Sequence, residues 1–441
     1  MKKLLLSAIV VSSLILTGCI KDDDTPIIIE ENTTIIQGGD GNPDPSGDPV
    51  VNVTGAISEN TTWTNDNIYR LNQKVVIQDG VTLTINPGTI IKGTPGTGSL
   101  ASALIVARGG KINAVGSPSQ PIIFTSSSDN IGVGDNAGTN LDENDRGLWG
   151  GLIVLGKAPC SFSGNVSEVQ IEGIPADDTF GLYGGTQADD NSGVIQYVSI
   201  RHGGALIGEG NEINGLTLGG VGNGTIISNV EVVANVDDGF EFFGGTVNAS
   251  NLLVWAQGDD GLDIDQAYSG TISNSVVILG DVSDHALEID GGEGSATGSF
   301  TLEDITLIGN MTTSGGEYAD YRSRATGATN NVYAYGFKTS SDVELDNNAV
   351  SQNYIDGNLT FSNWEIVGYD NSIFVEKVGC AANCDDDDDT NDIPESQIIS
   401  PSFTDQAAGW ATQVTQGAQT VGASTSSLSW TYANIAGNLG F

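Results

Sequence analysis

A repeat of about 22 residues limits what this chain can fold into more than any other feature of its sequence. Five-residue segments that open with Ser-Asn start at Ser228, Ser250 and Ser273, which places them 22 and 23 residues apart. Another copy starts at Ser362, and a weaker one starts at Asn331. Between the copies lies a second β-rich segment that follows a turn, in residues 214–220, 238–244, 260–266 and 284–291. Repeats of this length indicate a structure in which each unit stacks on the next.

The unit itself has the pattern of β-strands. Its short apolar runs are separated by Gly, Asn or Asp, and the body of the chain sustains no helical period. At ~3.3 Å per residue, one unit has a contour of ~70 Å, which is enough for one turn of a β-solenoid. The recurrent Asn suits a turn, because Asn tolerates left-handed backbone angles and can stack its amide on that of the next coil. The unit therefore predicts a β-solenoid with an Asn ladder of purely structural meaning.

Five further segments extend this pattern, and they are residues 86–91, 121–125, 149–156, 198–204 and 237–245. Together with the repeat they resemble right-handed parallel β-helix proteins, and within these a largely uncharacterised group of Bacteroidota-type surface lipoproteins. The resemblance covers most of the chain beyond residue 55. It implies an all-β, right-handed parallel β-helix of roughly 10–12 coils with a C-terminal cap. It implies little about activity, because this fold hosts both enzymes and passive binders.

The first residues have the pattern of a lipoprotein signal peptide. Two lysines precede a largely apolar run of 13 residues, 4–16, which is too short to span a bilayer. Residues 16–19 (Leu-Thr-Gly-Cys) resemble the bacterial lipobox, in which the peptide is cleaved before a cysteine that is diacylated. We therefore expect residues 1–18 to be removed and Cys19 to carry the lipid anchor. An ordinary signal peptide with an incidental cysteine is the alternative.

The residues that follow Cys19 predict the location of the protein and the division of the chain. Residues 20–24 (Ile-Lys-Asp-Asp-Asp) resemble the export signal of Bacteroidota surface lipoproteins, which implies the outer face of the outer membrane. The alternative is the solvated acidic start of a linker. We expect a lipidated, flexible acidic linker in residues 19–52, a β-helix in residues 53–395 and its cap in residues 396–441.

The charge of the chain excludes some partners. There are 15 Lys and Arg residues against 56 Asp and Glu residues, a formal net charge of −41. Such a charge repels phosphate backbones, which excludes nucleic acid, and it favours divalent cations as partners and a soluble monomer. The sequence has two histidines, His202 and His285, so a His/Cys zinc site is not expected. It has no nucleotide-binding motif and no nucleophile elbow.

Acidic residues alternate with apolar ones in the second repeated segment. Residues 262–265 read Leu-Asp-Ile-Asp, and residues 287–290 read Leu-Glu-Ile-Asp. If the Leu and Ile side chains point inward, the acids of adjacent coils point outward. Aligning the repeats predicts two outward columns, Thr217, Glu241, Asp263 and Glu288 in one, and Gly219, Phe243, Asp265 and Asp290 in the next.

These columns bring carboxylates close together. Parallel coils stack ~4.8 Å apart, and two carboxylates ~5 Å apart at an effective dielectric of about 20 repel by about 3 kcal/mol. Because basic residues are scarce, we expect hard, oxygen-ligated Ca²⁺ as the counter-ion. The candidate ligands are Asp263, Asp265, Glu288 and Asp290. The alternative is a set of solvated acids on the face of a very acidic protein.

A second resemblance supplies a catalytic alternative. Residues 259–261 (Asp-Asp-Gly), followed by Asp284 and His285, are similar to the paired acids and nearby histidine of the polygalacturonase group. That group has Gly-His-Gly and a later Arg-Ile-Lys, whereas this chain has Asp-His-Ala and no such tripeptide. The spacing of Arg322 and Arg324 does not mark either as a substitute. If the chain is an enzyme, the expected residues are Asp260, Asp263, Asp265, Asp284 and His285.

The first repeated segment is apolar on both sides. One of its columns holds Val233, Trp255, Ile278 and Val367. If this column faces outward, it is either covered by a loop or forms a strip on which sugars stack. The candidate ligand-binding residues are accordingly Glu241, Trp255 and Asp260.

Three cysteines remain after Cys19. Outside the cytoplasm a disulfide is allowed, and Cys380 and Cys384 are close enough in sequence to form one around a tight loop. Cys160 would then be left as a small buried apolar residue. The acidic run in residues 385–392 lacks the Gly and Glu of an EF-hand, so it is either a loose Ca²⁺ loop or a solvated loop.

The leading hypothesis for function is non-enzymatic. It is the binding of an extracellular glycan, or adhesion to a surface, by a Ca²⁺-stabilised lipoprotein on the outer membrane. One alternative is a Ca²⁺-dependent polysaccharide lyase or glycoside hydrolase on the face of the β-helix. Another is a rigid structural component of an outer-membrane complex.

Overall fold

The computed structural model describes residues 36–37, 44–172, 174, 179–207, 212–313, 315–376 and 399–441. Several sequence predictions lie outside these residues, namely the signal peptide, the lipid-attachment residue Cys19, the Cys380–Cys384 disulfide and the acidic run in residues 385–392. Among the described residues, no helix has the length and hydropathy that a membrane span requires.

The described residues form strands far more often than helices. The strands are β1 (Ile36–Gln37), β2 (Val50–Ile57), β3 (Thr61–Trp63), β4 (Ile68–Ile77), β5 (Thr82–Ile85), β6 (Ile90–Gly93), β7 (Ala103–Val106), β8 (Lys111–Val115), β9 (Ile122–Ser126), β10 (Leu152–Leu155), β11 (Val169–Gln170), β12 (Leu182–Tyr183), β13 (Gly193–Arg201), β14 (Leu216–Gly219), β15 (Ile226–Val233), β16 (Phe240–Phe243), β17 (Asn248–Trp255), β18 (Leu262–Asp265), β19 (Thr271–Ile278), β20 (Leu287–Ile289), β21 (Phe300–Ile308), β22 (Ala319–Tyr321), β23 (Gly327–Tyr335), β24 (Val343–Leu345), β25 (Leu359–Val367), β26 (Phe374–Glu376) and β27 (Ala411–Val414). The α-helices are α1 (Asn348–Ile355), α2 (Phe403–Ala407) and α3 (Tyr432–Gly437).

Parallel pairing of these strands builds a right-handed β-helix with three faces. The first sheet joins eleven segments, from the ends of β2 and β4 through β7, β10, β14, β16, β18, β20, β22, β24 and β26. The second and third sheets share the long strands β13, β15, β17, β19, β21, β23 and β25, whose two halves lie on different faces. The prediction of an all-β, right-handed parallel β-helix is confirmed.

A left-handed residue bends each long strand between the second and third sheets. In β13 this residue is Tyr197, and in the six later strands the residues are Asn229, Asn251, Asn274, Asp304, Asn331 and Asn363, with φ between 49° and 58° in all seven. Their side chains form a ladder, because the Nδ2 of Asn274 donates to Asn251 Oδ1 at 2.6 Å and that of Asn363 donates to Asn331 Oδ1 at 3.0 Å. The predicted Asn ladder is therefore confirmed, and the repeat positions it at the corner of the coil.

Apolar side chains from all three sheets fill the interior. In the first sheet they alternate with the outward residues, so that Leu262, Ile264, Leu287 and Ile289 are buried in one continuous core. At the C-terminal end this core is closed by aromatic rings. Phe403 and Trp410 pack on Phe361 and Phe374, and β27 continues the third sheet beyond β25.

Beyond β27 the chain turns back along the third sheet as a segment that we call the C-terminal strap (residues 420–441). Its contacts, in chain order, are Thr420 with Glu365, Ala423 with Thr306, Ser424 with Asn274, Ser427 with Asn251 and Tyr432 with Glu231. These partners lie on β25, β21, β19, β17 and β15, so the strap runs backwards across the coils. The sequence analysis expects residues 396–441 to cap the solenoid. Trp410 packs at the end of the solenoid, whereas Trp430 and Tyr432 lie on its flank against Tyr197 and Trp255.

The strap covers the apolar column that contains Trp255. Leu428 and Tyr432 pack with Val233 and Ile278, and Trp255 is partly buried against them. Of the two interpretations of this column, the structure confirms that a segment of the chain covers it.

We expect Leu428→Ala to lower the free energy of unfolding by about 2–5 kcal/mol, since the side chain is fully buried under the strap. Thermal and denaturant unfolding, followed by circular dichroism, measure the change. The matched control is Ile435→Ala, which removes another aliphatic strap side chain that is 60% exposed. Equal stability of the two variants would contradict a strap that holds the coils together.

Candidate functional site

An acidic groove crosses the outer face of the first sheet. It has a volume of about 720 Å³, and among the described residues it is lined by fourteen carboxylate side chains together with His285 and Arg322. The carboxylates belong to Glu172, Glu212, Asp237, Asp238, Glu241, Asp259, Asp260, Asp263, Asp284, Glu288, Glu317, Asp320, Glu344 and Asp346. Fourteen acids against two basic groups concentrate negative charge in one concave place.

The floor of the groove is a column of acids in register on successive coils. Parallel pairing aligns Glu241 of β16, Asp263 of β18 and Glu288 of β20. It continues the column with Asp320 of β22 and Glu344 of β24. Each acid stands between two inward apolar residues, so alternation along a short strand is enough to expose it to the groove.

The sequence predicted the first part of this column and missed the second. Asp320 and Glu344 sit in the triplets Ala-Asp-Tyr and Val-Glu-Leu (residues 319–321 and 343–345), which repeat the apolar–acid–apolar pattern of β18. The turn between β20 and β22 is longer than the earlier ones, so that Asp320 follows Glu288 by 32 residues, and a search at a spacing of about 22 residues loses the column at this point. The triplet pattern, taken without a fixed spacing, would have found both.

The turns that lead into these strands supply a second row of acids. Asp238 Oδ1 accepts the backbone N–H of Asp260 at 3.0 Å, and Asp260 Oδ1 accepts that of His285 at 2.7 Å. Each turn side chain therefore binds the main chain of the next coil. These hydrogen bonds fix the row beside the floor, because the coil spacing decides where each carboxylate stands.

The middle of the groove carries the two basic side chains. His285 Nδ1 lies 2.9 Å from Asp260 Oδ1 and 3.6 Å from a carboxylate oxygen of Glu288. Burial lowers the pKa of His285, but the hydrogen bond to Asp260 and the surrounding carboxylates outweigh burial and raise this pKa to about 10. Arg322 forms an ion pair with Glu288, and its Nε donates to Asp290 Oδ2 at 2.7 Å. In this part of the groove the protein itself thus supplies two counter-charges to the carboxylates.

One group of acids has no such partner. Asp238, Glu241 and Asp263 are all buried, they offer carboxylate oxygens within 4.8 Å of one another, and none forms a salt bridge with any residue that the structure describes. Asn214 donates its amide N–H to Glu241. Asp263 Oδ1 is buried and makes no hydrogen bond with the described residues. We call these three residues the unpaired triad.

Burial and mutual repulsion perturb the carboxylates at this end of the groove. Burial first, and then the neighbouring acids, raise the pKa of each member of the unpaired triad well above its ordinary value. The same causes raise the pKa of Asp237 to about 7 and that of Asp259 to about 6. A carboxylate in this position is ionised at neutral pH only at a cost, which a bound cation would remove.

Within the described part of the chain, four other groups of three acidic or histidine side chains also have ligand atoms within 4.8 Å of one another. They are Asp237, Asp238 and Asp259; Asp260, His285 and Glu288; Glu317, Asp342 and Glu344; and Asp320, Glu344 and Asp346. They are spread along the whole groove, so its length is acidic and not merely one end.

The structure does not gather the four candidate Ca²⁺ ligands into one group. Asp263 belongs to the unpaired triad, and Glu288 lies with Asp260 and His285. Asp265 and Asp290 do not line the groove. Burial, followed by repulsion from other acids, raises the pKa of Asp265 to about 6 and that of Asp290 to about 7.

The remaining candidates are divided between the groove and other parts of the fold. Glu241, Asp260, Asp284 and His285 line the groove, as expected of residues that share a site. Trp255 lies under the C-terminal strap on another face. Cys160 is partly buried with apolar neighbours, and burial raises its pKa to about 12.

The match to a family model covers most of these elements. A model described as a pectate-lyase-like β-helix domain matches residues 55–420. The chain belongs to this family. Comparison with curated proteins and with solved structures gave no match. In this pectate-lyase-like β-helix domain, the groove occupies the outer face of the first sheet, between β14 and β26.

We expect the melting temperature, measured in a chelator, to fall as the pH rises from about 5 to about 8. The folded pKa values of Asp237 and Asp259 are raised, so the folded state binds more protons than the unfolded state in this range. Ionisation then destabilises the folded state. His285, with its raised pKa, acts in the same direction above its ordinary value, since its stabilising charge is lost as the pH rises.

Asp237→Asn should flatten this pH profile, whereas Asp66→Asn, which changes an exposed acid outside the groove, should leave the slope unchanged. A melting temperature that rises with pH over the same range would contradict this account.

Proposed function

We propose that this protein binds Ca²⁺ in the acidic groove and, through the metal, binds an extracellular acidic glycan without cleaving it. The observation that carries the proposal is the unpaired triad, in which three buried carboxylates converge without a basic partner. A buried charge needs either a counter-charge or protons. Asp263 Oδ1, buried and without a hydrogen-bond partner among the described residues, supplies a free ligand atom.

The donor chemistry favours Ca²⁺ over other metals. The triad offers carboxylate oxygens alone, and further oxygens stand close by on Asp237 and Asp259. Ca²⁺ takes six to eight oxygen ligands in flexible geometry, whereas Mg²⁺ keeps several waters and zinc prefers nitrogen and sulfur. The group with His285 is a poorer site, because its Nδ1 is already engaged with Asp260.

The shape and charge of the groove favour a glycan ligand. Its acids continue over several coils, so a chain-like ligand would meet several of them at once. A polyanion cannot approach them directly, but Ca²⁺ bound to both partners would remove the repulsion. A pectate-lyase-like β-helix domain is consistent with a glycan-related function.

The sequence supports a location for this activity. The lipobox-like residues and Cys19 favour a lipid anchor, and the following residues favour export to the outer face of the outer membrane. The acidic linker would hold a monomeric β-helix clear of the membrane, where it could meet polysaccharide.

Cleavage of the same glycan is the second candidate. Asp260, Asp284 and His285 line one groove with Arg322, which would supply the basic group that the sequence alone did not assign. Carboxylates with pKa values near 6 and 7 stand nearby, and unlike protonation states in one cleft are typical of acid–base catalysis.

The first test is calorimetric titration of the purified chain with Ca²⁺. We expect saturable binding, and we expect Asp263→Asn to weaken it by about tenfold or more, because the change keeps the shape and removes one charged ligand. Asp66→Asn is the matched control. Identical Ca²⁺ binding by wild type and Asp263→Asn would reject the unpaired triad as the site.

The second test uses soluble polygalacturonate as a model acidic glycan. We expect retention of the polymer in Ca²⁺, release by chelator, and no retention by Asp263→Asn. The chain length of the polymer is measured in the same mixture. Unchanged length supports a binder, whereas shorter products that disappear with Arg322→Ala would establish the enzyme. Absence of both retention and cleavage would overturn the proposed function for this class of glycan.

A further inference from the structure

A second cavity lies beyond the C-terminal ends of the strands that form the groove floor. We call it the neutral cleft, and its volume is about 880 Å³. Among the described residues, its lining consists of Ser269, Gly292, residues 294–299, Arg324, Thr326, Ala349, Gln352, Asn353, Gly357 and Asn358. Cavities of this size are typical of small-ligand sites.

The chemistry of the neutral cleft is opposite to that of the acidic groove. Arg324 is the one charged side chain among the described residues that line it, and the lining has no carboxylate. In a chain with a net charge of −41, a cleft without acids is unusual. The rest of the lining consists of hydroxyl groups, amides, glycine and alanine, which suits a ligand that is rich in hydroxyl groups.

Several polar groups of the neutral cleft are not used within the protein. The side chains of Thr297, Ser299 and Asn358 are exposed and form no hydrogen bond with the residues that the structure describes. Arg324 uses Nη2 to bind the carbonyl oxygen of Gly292, which leaves its Nε and Nη1 without an intramolecular acceptor in the same part of the chain. These donors and acceptors converge on one cavity and have only solvent as partner.

A single turn lies between the two cavities. Ser323 and Arg324 both have left-handed backbone angles, with φ of 45° and 64°. Arg322, directly before them, lines the acidic groove, while Arg324 lines the neutral cleft. Residues two apart in sequence are within ~7 Å of each other along the chain. The two cavities therefore lie close together, one on each side of this turn.

We propose that the neutral cleft binds uncharged sugar residues, independently of any metal, and that these residues belong to the glycan whose acidic residues bind through Ca²⁺. The link to that glycan rests on the proposed function, whereas the binding of neutral sugar does not. Sugar hydroxyls both donate and accept, which matches the unused groups of Ser299 and Asn358. An anionic ligand is disfavoured, because the chain carries a net charge of −41 and the acidic groove lies nearby, so that one guanidinium is not enough to attract an anion.

The test uses neutral tetrasaccharides of glucose, galactose, mannose and xylose as probes. Each is titrated into the purified chain in a chelator, and binding is followed by calorimetry and by ligand-observed NMR. We expect at least one probe to bind, Ser299→Trp to abolish its binding by filling the cleft, and Asn358→Ala to weaken it by about two- to tenfold. Ser299 and Asn358 are exposed, so neither change should prevent folding.

Asp263→Asn is the matched control, and we expect it to bind the neutral probe like the wild type. Ser299→Trp should in turn bind Ca²⁺ like the wild type. Failure of all four probes to bind, or binding that persists in Ser299→Trp, would overturn the neutral cleft as a sugar site. Neutral-sugar binding in a chain that binds neither Ca²⁺ nor polygalacturonate would reject the proposed function and retain the cleft.

Discussion

The parallel register between coils is the constraint on which the rest of this structure depends. When Leu262 pairs with Leu287, Asp263 must pair with Glu288, because alternation along a strand leaves no other choice. Burial of the apolar residues holds the register, and the acids of adjacent coils are thereby forced to within about one coil spacing of each other. Core and groove are therefore two faces of the same strands, and a change of register would destroy both.

The repulsion between these carboxylates is compensated in different ways along the groove. Near Glu288 the protein supplies its own cations, since Arg322 and His285 bind the surrounding carboxylates. At the unpaired triad it supplies none among the described residues, and the raised pKa values of Asp238, Glu241 and Asp263 follow from burial and repulsion. The protein thus supplies counter-charges near Glu288 and none, among the described residues, at the unpaired triad, which is why the proposed function places a cation at the triad.

Contacts between distant parts of the chain complete the solenoid. In a repeat protein each coil mainly contacts its neighbours, so coupling between distant coils is weak. The C-terminal strap adds direct contacts from β25 back to β15, and it buries the apolar column that holds Trp255. The turn at Ser323 has a comparable role on the other side, where it separates an acidic cavity from a neutral one. Both elements lie outside the 22-residue repeat, and both decide which surfaces remain open to a ligand.

The sequence by itself determined the β-solenoid, the Asn ladder and the outward column from Glu241 to Glu288, because each follows from local alternation and from a repeat that can be counted. The right hand of the solenoid followed from the resemblance to known β-helix proteins. The sequence did not determine the continuation to Asp320 and Glu344, because the long turn between β20 and β22 breaks the spacing. It also could not predict that Arg322 pairs with Glu288 and Asp290, that Asp265 does not line the groove, or that Tyr432 packs against Trp255. Only the tertiary structure decided these points. The turns and the C-terminal strap position their side chains through contacts with residues that are distant in sequence. A local repeat pattern contains no information about such contacts.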